Sequence, residues 1–447
     1  MDQTLRAAAS PSEPLLERLF HLEEAGTTWK REVVGGLTTF MTMAYIIFVN
    51  PSLVSTTGMP FEAVVMATIF SAAFATLLMA FLTNYPFALA PGMGLNAYFA
   101  FTVVGSMGIP WQTALGAVFL SGAVFVILTL SRVREMIIDA VPMTLKKAIG
   151  AGIGLFIALI GLSNAGIVVA NPDTMVALGT LADPHTLLAI IGLAVTGLLL
   201  ARRVPGAILV GILVTTVIGI FMGVTPRPEG LFRWPSLATW APVLGQLDIM
   251  GAVRLGFLEI IFAFLFVDLF DTVGTLIGVS SQGGFLDEKG NLPRANRALM
   301  ADAVGTMAGA VFGTPTVTSY VESASGVAAG ARTGLAGVVV AAGFLLSLFF
   351  MPIIAIVPAA ATAPALVVVG AMMIRQVEGI RWEEISEALP AFITIVAMPF
   401  TYSIATGIAL GFILYPFLKL VMGKGREVHW LTYLLGVLFI LRFVFLS

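Results

Sequence analysis

Long apolar runs separated by short polar or basic connections fill the chain from Val33 to Val421. A run of about 20 such residues crosses the hydrocarbon core of a bilayer as a helix. The pattern predicts helices over Val33–Val49, Val64–Leu82, Trp111–Leu130, Leu145–Leu162, Thr186–Ala201 and Pro205–Met222, and then over Leu255–Leu276, Ala298–Phe312, Leu335–Val357 and Ala363–Ile374. Leu389–Met398 and Tyr402–Val421 read as a down-and-back pair, and Trp430–Phe445 reads equally as a surface helix or an extra span.

Two apolar pieces break this pattern. Phe87–Phe99 is interrupted by Pro91, Gly92 and Gly94, which leaves only Leu95–Val104 for a helix about half a bilayer long. Gly313–Ser323 is broken by Pro315 and followed by a short helix ending near Arg332. Each is the third segment of its half. Seven segments per half is an odd number, so the halves run in opposite senses, an inverted repeat of about fourteen segments. Broken helices in matching positions of such a repeat mark a substrate site at the midplane. Phe87–Ala90 and Thr314–Val317 are expected to run side by side with strand-like contacts, because backbone groups at membrane depth must be satisfied internally. The first N–H groups of each half-helix are expected to be donors for a polar ligand.

Composition agrees with a polytopic membrane protein: 58% of the 447 residues are hydrophobic and 11% are charged. The net charge of −2 argues against nucleic acid as a partner. There are no cysteines, which excludes disulfides, thiolate nucleophiles and Cys-ligated metals. The three histidines, His21, His185 and His429, lie outside the spans, so a proton relay must use carboxylates. The stretch Met1–Thr28 lacks the basic start and apolar core of a signal peptide and reads as a cytoplasmic tail, helical from Glu13 to Glu24. With that tail inside, the loops carrying Arg132/Arg134/Lys146/Lys147, Arg202/Arg203, Lys289/Arg294/Arg297, Arg332, Arg375/Arg381 and Lys419/Lys424/Arg426 all fall on the cytoplasmic side. Basic residues favour that side.

The run from Leu255 carries Asp268 and Asp271, three residues apart and on one face of a helix. An Asp at membrane depth costs about 2.5–3.5 kcal/mol to insert. Such a pair either caps a neighbour or pairs a buried base, or it serves a substrate or proton site, and the second is the default expectation inside a membrane. Asn96 on the first half-helix, Asp302 on the next span and Glu322 on the second half-helix converge with it. Glu259 is expected on the opposite side of its helix and outside the site. Acids, an amide and backbone N–H groups suit a flat heterocycle with alternating donors and acceptors. Phe99, Phe101, Phe266, Phe270 and Tyr320 are candidates to stack on it, though most of the 32 phenylalanines are packing residues.

Four motifs carry a resemblance: Thr38–Ile46, Ala90–Ala97, Phe266–Thr272 and Glu322–Gly326. They resemble the AzgA-type purine permeases of the nucleobase–cation symporter-2, or xanthine/uracil permease, superfamily, over about Thr28 to Val421. The resemblance implies an all-α, UraA-like transporter fold of seven plus seven segments, with residues 29–135 and 255–358 as a core domain. It also implies a gate domain of residues 136–223 and 359–447, a tail at 1–28 and an inter-repeat loop at 224–254. The activity implied is proton-coupled uptake of adenine, guanine or hypoxanthine by alternating access, with no cofactor beyond the proton, in a bacterial inner membrane, with homodimers through the gate domain. The site residues carried over are Asn96, Asp268, Asp271 and Glu322, with Gly94, Ser319 and Phe270 beside them. Asp268 and Glu322 are expected on the substrate edge, Asp271, Glu322 and Asp302 in coupling or scaffolding, with Asp302 chiefly linking core helices. The Gln/Glu-Asn-x-Gly signature of the xanthine and uracil branch is not matched, since Ser323 follows Glu322 and the glycine comes later, at Gly326. That departure disfavours xanthine and uric acid.

Three other readings are weaker. An anion exchanger on the same architecture would use the half-helix dipoles but meet repulsion from the acids. An intramembrane aspartyl protease needs carboxyls facing from two helices, whereas Asp268 and Asp271 share one. A channel does not account for an inverted repeat with broken helices.

Overall fold

The computed structural model describes residues 15–131, 141–255, 260–288 and 291–445. Glu259, Arg132, Arg134, Lys289 and the tail before Leu15 lie outside the described residues.

The first half opens with α1 (Leu15–Phe20), α2 (Trp29–Met43), α3 (Ile46–Val54) and α4 (Phe61–Thr83). The broken segment follows as β1 (Leu89–Pro91) and α5 (Met93–Ala97), which continues as a π-helical stretch over Tyr98–Ser106. Next come α6 (Trp111–Ser131), α7 (Met143–Asn164), the hairpin β2 (Val168–Asn171) and β3 (Met175–Leu178), α8 (Pro184–Ala201) and α9 (Ala207–Phe221). Two short helices, α10 (Leu237–Trp240) and α11 (Ile249–Leu255), occupy the inter-repeat connection.

The second half contains α12 (Phe262–Gly283) and α13 (Ala295–Phe312), and then its own broken segment, β4 (Val317–Ser319) and α14 (Ser323–Ala328). It ends with α15 (Gly334–Ser347), α16 (Met351–Ala355), α17 (Ala359–Met373), α18 (Ile385–Phe400), α19 (Ile404–Val421) and α20 (Trp430–Phe445). Among the described residues nine helical stretches are long and apolar enough to cross a membrane. The shorter α9 and α18, the 18-residue but less apolar α13, and the two broken segments complete the expected fourteen. The fold is therefore an all-α, seven-plus-seven membrane architecture. Its outer faces carry bare apolar side chains, such as Phe221 at 87% exposure and Leu130 at 72%, which in water would be a large uncovered patch and here face lipid.

The expected strand contact is present, shifted toward the half-helices. β1 pairs antiparallel with β4 in the register Leu89↔Ser319, Ala90↔Thr318, Pro91↔Val317. Flanking bonds from Gly92 N–H to the Thr316 carbonyl (2.8 Å) and from Tyr320 N–H to the Ala88 carbonyl (2.9 Å) extend the pairing at both ends. Thr76 on α4 gives its hydroxyl to the Leu89 carbonyl and accepts from the Leu89 amide, so both outward groups of that residue are satisfied.

Helices pack in two groups. α4 lies against α13 and α15, α6 against α13, and α2 against α15 and α14, with the strand pair among them. In the other group α7 packs on α17 and α18, α8 on α9 and α17, and α19 on α18 and α20. The groups meet where α5 and α12 touch α7, α3 touches α17, and α2 touches α9. In the second group Lys419 is only 1% exposed and bonds Glu387 (2.8 Å) and Glu384 (3.2 Å), while Glu387 also accepts from Thr144 and Tyr415. Hydrogen bonds from Lys424, Ser386 and Lys419 hold the Glu384 carboxyl down at about 2, so it stays charged at the membrane surface.

Candidate functional site

The strand pair delivers both half-helices to one place beside α12. Glu322 stands at the start of α14, half-buried, and accepts a hydrogen bond from the Tyr45 hydroxyl at 2.7 Å. Asp271 on α12 is also half-buried and within electrostatic reach of Glu322. Tyr320, between β4 and α14, is buried and donates its hydroxyl to the Pro91 carbonyl at 2.6 Å, which ties the two broken segments together at side-chain level. Phe270 packs edge-on to Phe266 with centroids 4.6 Å apart, and the Lys146 ammonium of α7 stands 5.6 Å from its ring.

Asp268 and Asp302 sit deeper, both fully buried. Asp268 Oδ2 accepts from Thr306 of α13 at 3.2 Å, and Asp302 Oδ1 accepts from Thr272 of α12 at 2.8 Å. Thr272 also bonds Thr318 of β4 at 2.8 Å, and Thr306 bonds the backbone of Val317. These carboxylates thus join α12, α13 and the strand pair. Asp268 and Asp271 share one helix yet meet different surroundings, the first turned to α13 and the second beside Glu322.

Asn96 is fully buried and donates to Asn50 Oδ1 at 2.6 Å. Ser319 is buried in β4 opposite Leu89. Gly94 lies where α5 meets α7: a Cβ there would stand 2.5 Å from Ile153 Cγ2. Gly94→Ala is expected to cut transport severalfold with little change in membrane level, and Ile153→Ala in the same chain is expected to restore part of it. Uptake and immunoblotting of the single and double variants check this; a harmless Gly94→Ala would deny that the contact is tight.

One expectation needs correction. At the second half-helix the first amides are already engaged, since Ser323, Ala324 and Ser325 donate to the carbonyls of Tyr320, Val321 and Glu322. At the first half-helix only the Gly92 amide, which precedes α5, is taken, by Thr316, so the correction applies to the second half-helix, where the polar capacity lies in side chains such as Glu322 and the neighbouring Asp271. The sequence reading missed Tyr45, Asn50, Thr272, Thr306 and Thr318. Tyr45 lay inside one of the four motifs, and Asn50 preceded a proline that marked a helix end, so neither stood out as polar chemistry.

The Permease family model Xan_ur_permease matches residues 30–410, which takes in both broken segments and all four acids. The chain belongs to the xanthine/uracil permease family. The permease is 56% identical over 432 residues to a putative permease, MJ0326, of Methanocaldococcus jannaschii, covering 97% of this chain and 99% of that one. It is 45% identical to the adenine permease AdeP of Escherichia coli, covering 97% of each chain. It is 48% identical to the guanine/hypoxanthine permease PbuG of Bacillus subtilis, covering 97% of this chain and 100% of that one. Among solved structures, the transmembrane domain of the cyanobacterial bicarbonate transporter BicA superposes with a TM-score of 0.64 at 17% identity, over 86% of this chain and 97% of that one. That likeness concerns the fold. The permease is a multi-pass membrane transport protein rather than an enzyme.

Proposed function

We propose that this permease carries purine nucleobases (adenine, guanine and hypoxanthine) across the cytoplasmic membrane in symport with protons. The observation that carries the reading is the junction of the two broken segments, where Glu322 and Asp271 stand half-buried near Tyr45 and Tyr320. A purine edge offers ring N–H and amino donors that carboxylates accept. Names of relatives that align over nearly the whole chain point to the same substrates. The half-buried position of Asp271, against the full burial of Asp268 among α13 side chains, supports giving the substrate edge to Glu322 and Asp271. Asp268 then shares with Asp302 the work of holding α12 to α13. This reverses the division between Asp268 and Asp271 expected from the sequence.

Coupling to a proton follows from the same groups. A carboxylate enclosed away from water is favoured in its neutral form, takes a proton there, and releases it when the site opens to water. The two packing groups supply the moving parts for alternating access, one bearing the strand pair and the other α7, α17, α18 and α19. In a strain without its own purine carriers, labelled hypoxanthine is expected to accumulate and to be displaced by unlabelled adenine or guanine but not uracil. Accumulation is expected to fail when an uncoupler collapses the pH gradient. Uptake that persists unchanged under the uncoupler would overturn symport. Sulfate or bicarbonate uptake uncompeted by purines would instead support the anion-transport reading that the BicA fold shares.

A further inference from the structure

We infer that Asn50 is a specificity-positioning residue: it fixes the side-chain amide of Asn96 so that the first half-helix offers the substrate an acceptor and not a donor. The inference rests on the nucleobase reading and concerns a residue that touches no substrate itself. Asn50 is fully buried in α3. Its Nδ2 donates to Thr68 Oγ1 at 2.8 Å and to Thr314 Oγ1 at 2.9 Å, and its Oδ1 accepts from Asn96 Nδ2 at 2.6 Å. One amide thus bridges α4, the stretch leading into β4, and the half-helix α5.

The direction of these bonds follows from the partners at each end of the two amides. Which end of an amide carries nitrogen must be inferred from its partners. Thr68 has one hydroxyl proton, and it is committed to the Val64 carbonyl at 2.7 Å. While it donates there it accepts from Asn50, which assigns the NH₂ to the end of Asn50 that faces Thr68. The carbonyl end of Asn50 then faces Asn96 and demands a donor, which only the NH₂ of Asn96 can be. The remaining polar atom of Asn96, Oδ1, is buried with no hydrogen-bond partner. A buried acceptor without a donor is costly, so a group that supplies one is favoured. α5 lies against α12, the helix of Asp271, and against α7. On this inference the free acceptor of Asn96 acts with the acceptors of Asp271 and Glu322 in selecting a ligand edge rich in N–H groups.

The test is an inhibition panel on labelled hypoxanthine uptake. It compares amino-for-hydrogen pairs (adenine with purine, guanine with hypoxanthine) and the 1-, 7- and 9-methyl hypoxanthines, each of which removes one donor. In the unsubstituted protein each lost contact is expected to weaken inhibition roughly tenfold or more. Asn50→Leu frees the Asn96 amide to turn, and the penalty at a single ring position is expected to collapse toward unity while those at other positions persist. Asn50→Asp, which in its neutral form keeps both the donor toward Thr68 and the acceptor toward Asn96, is expected to retain the full pattern. Should Asn50→Leu fail to reach the membrane, Thr68→Val removes the acceptor that orients Asn50 and is read by the same panel. A pattern unchanged in whichever of these two variants reaches the membrane overturns the inference. So does an even loss at all positions together with a lowered melting temperature, which would mark a merely structural role. A protein that transports no nucleobase at all would instead sink the nucleobase reading, and this shows before any variant is made.

Discussion

Glu322→Gln lowers hypoxanthine uptake at low substrate concentration roughly 10- to 100-fold, the range expected when a hydrogen bond to a charged group is lost. Glu322 is singled out because it is half-buried at the head of α14, takes the Tyr45 hydroxyl at 2.7 Å and lies within electrostatic reach of Asp271. The amide keeps the size and an acceptor but gives up the charge and the ability to take a proton. Tyr45→Phe, which removes only the hydroxyl, costs less, about tenfold or below. Initial uptake rates normalised to the amount of protein in the membrane check both. Intact binding and uptake in Glu322→Gln would place the substrate elsewhere in the fold.

Lys419→Met destabilises the protein by about 3–5 kcal/mol, the usual cost of stranding one partner of a buried ion pair. The Lys419 ammonium is enclosed near the C-terminal end of α19, and its removal leaves Glu387, 1% exposed, facing a methyl group. Glu387 still meets Arg381 at 2.9 Å, but that guanidinium is 70% exposed and is a weaker substitute. Lys419→Met with Glu387→Gln is expected to recover much of the loss, because both charges are then gone. Thermal aggregation of the detergent-purified proteins gives the comparison. An unchanged midpoint in the single variant would show that the pair contributes nothing to the packing of α18 against α19.

The fold was legible where the sequence breaks a periodic rule. Pro91, Gly92, Gly94 and Pro315 interrupt apolar runs at matching places, and those interruptions became the paired strands and half-helices. The acids were legible because a carboxylate inside an apolar run is costly enough to need a reason. Their partners were not. Threonine is common in membrane helices because its hydroxyl can bond the preceding turn, as Thr68 does with Val64, so nothing in the sequence separates Thr272, Thr306 and Thr318 from ordinary threonines. Lys419 illustrates the opposite limit. As one more basic residue near a helix end it served to orient the chain, whereas its burial between two glutamates depends on how α18 and α19 pack. The β2–β3 hairpin, with Met175 and Leu178 exposed, also left no alternating pattern to read.

The pairing of β1 with β4 has a consequence for biogenesis. The ribosome delivers Leu89–Pro91 long before Val317–Ser319, with the last four segments of the first repeat and the first two of the second between them. At roughly 5–20 residues per second, the first strand waits ten seconds or more for its partner. During that time its backbone groups must be sheltered by water, by a chaperone or by the insertion machinery, since hydrocarbon offers them nothing. The first repeat made alone has no settled place for its third segment. A chain cut in the inter-repeat connection around Gly230 should therefore assemble only when both pieces are synthesised in the same cell.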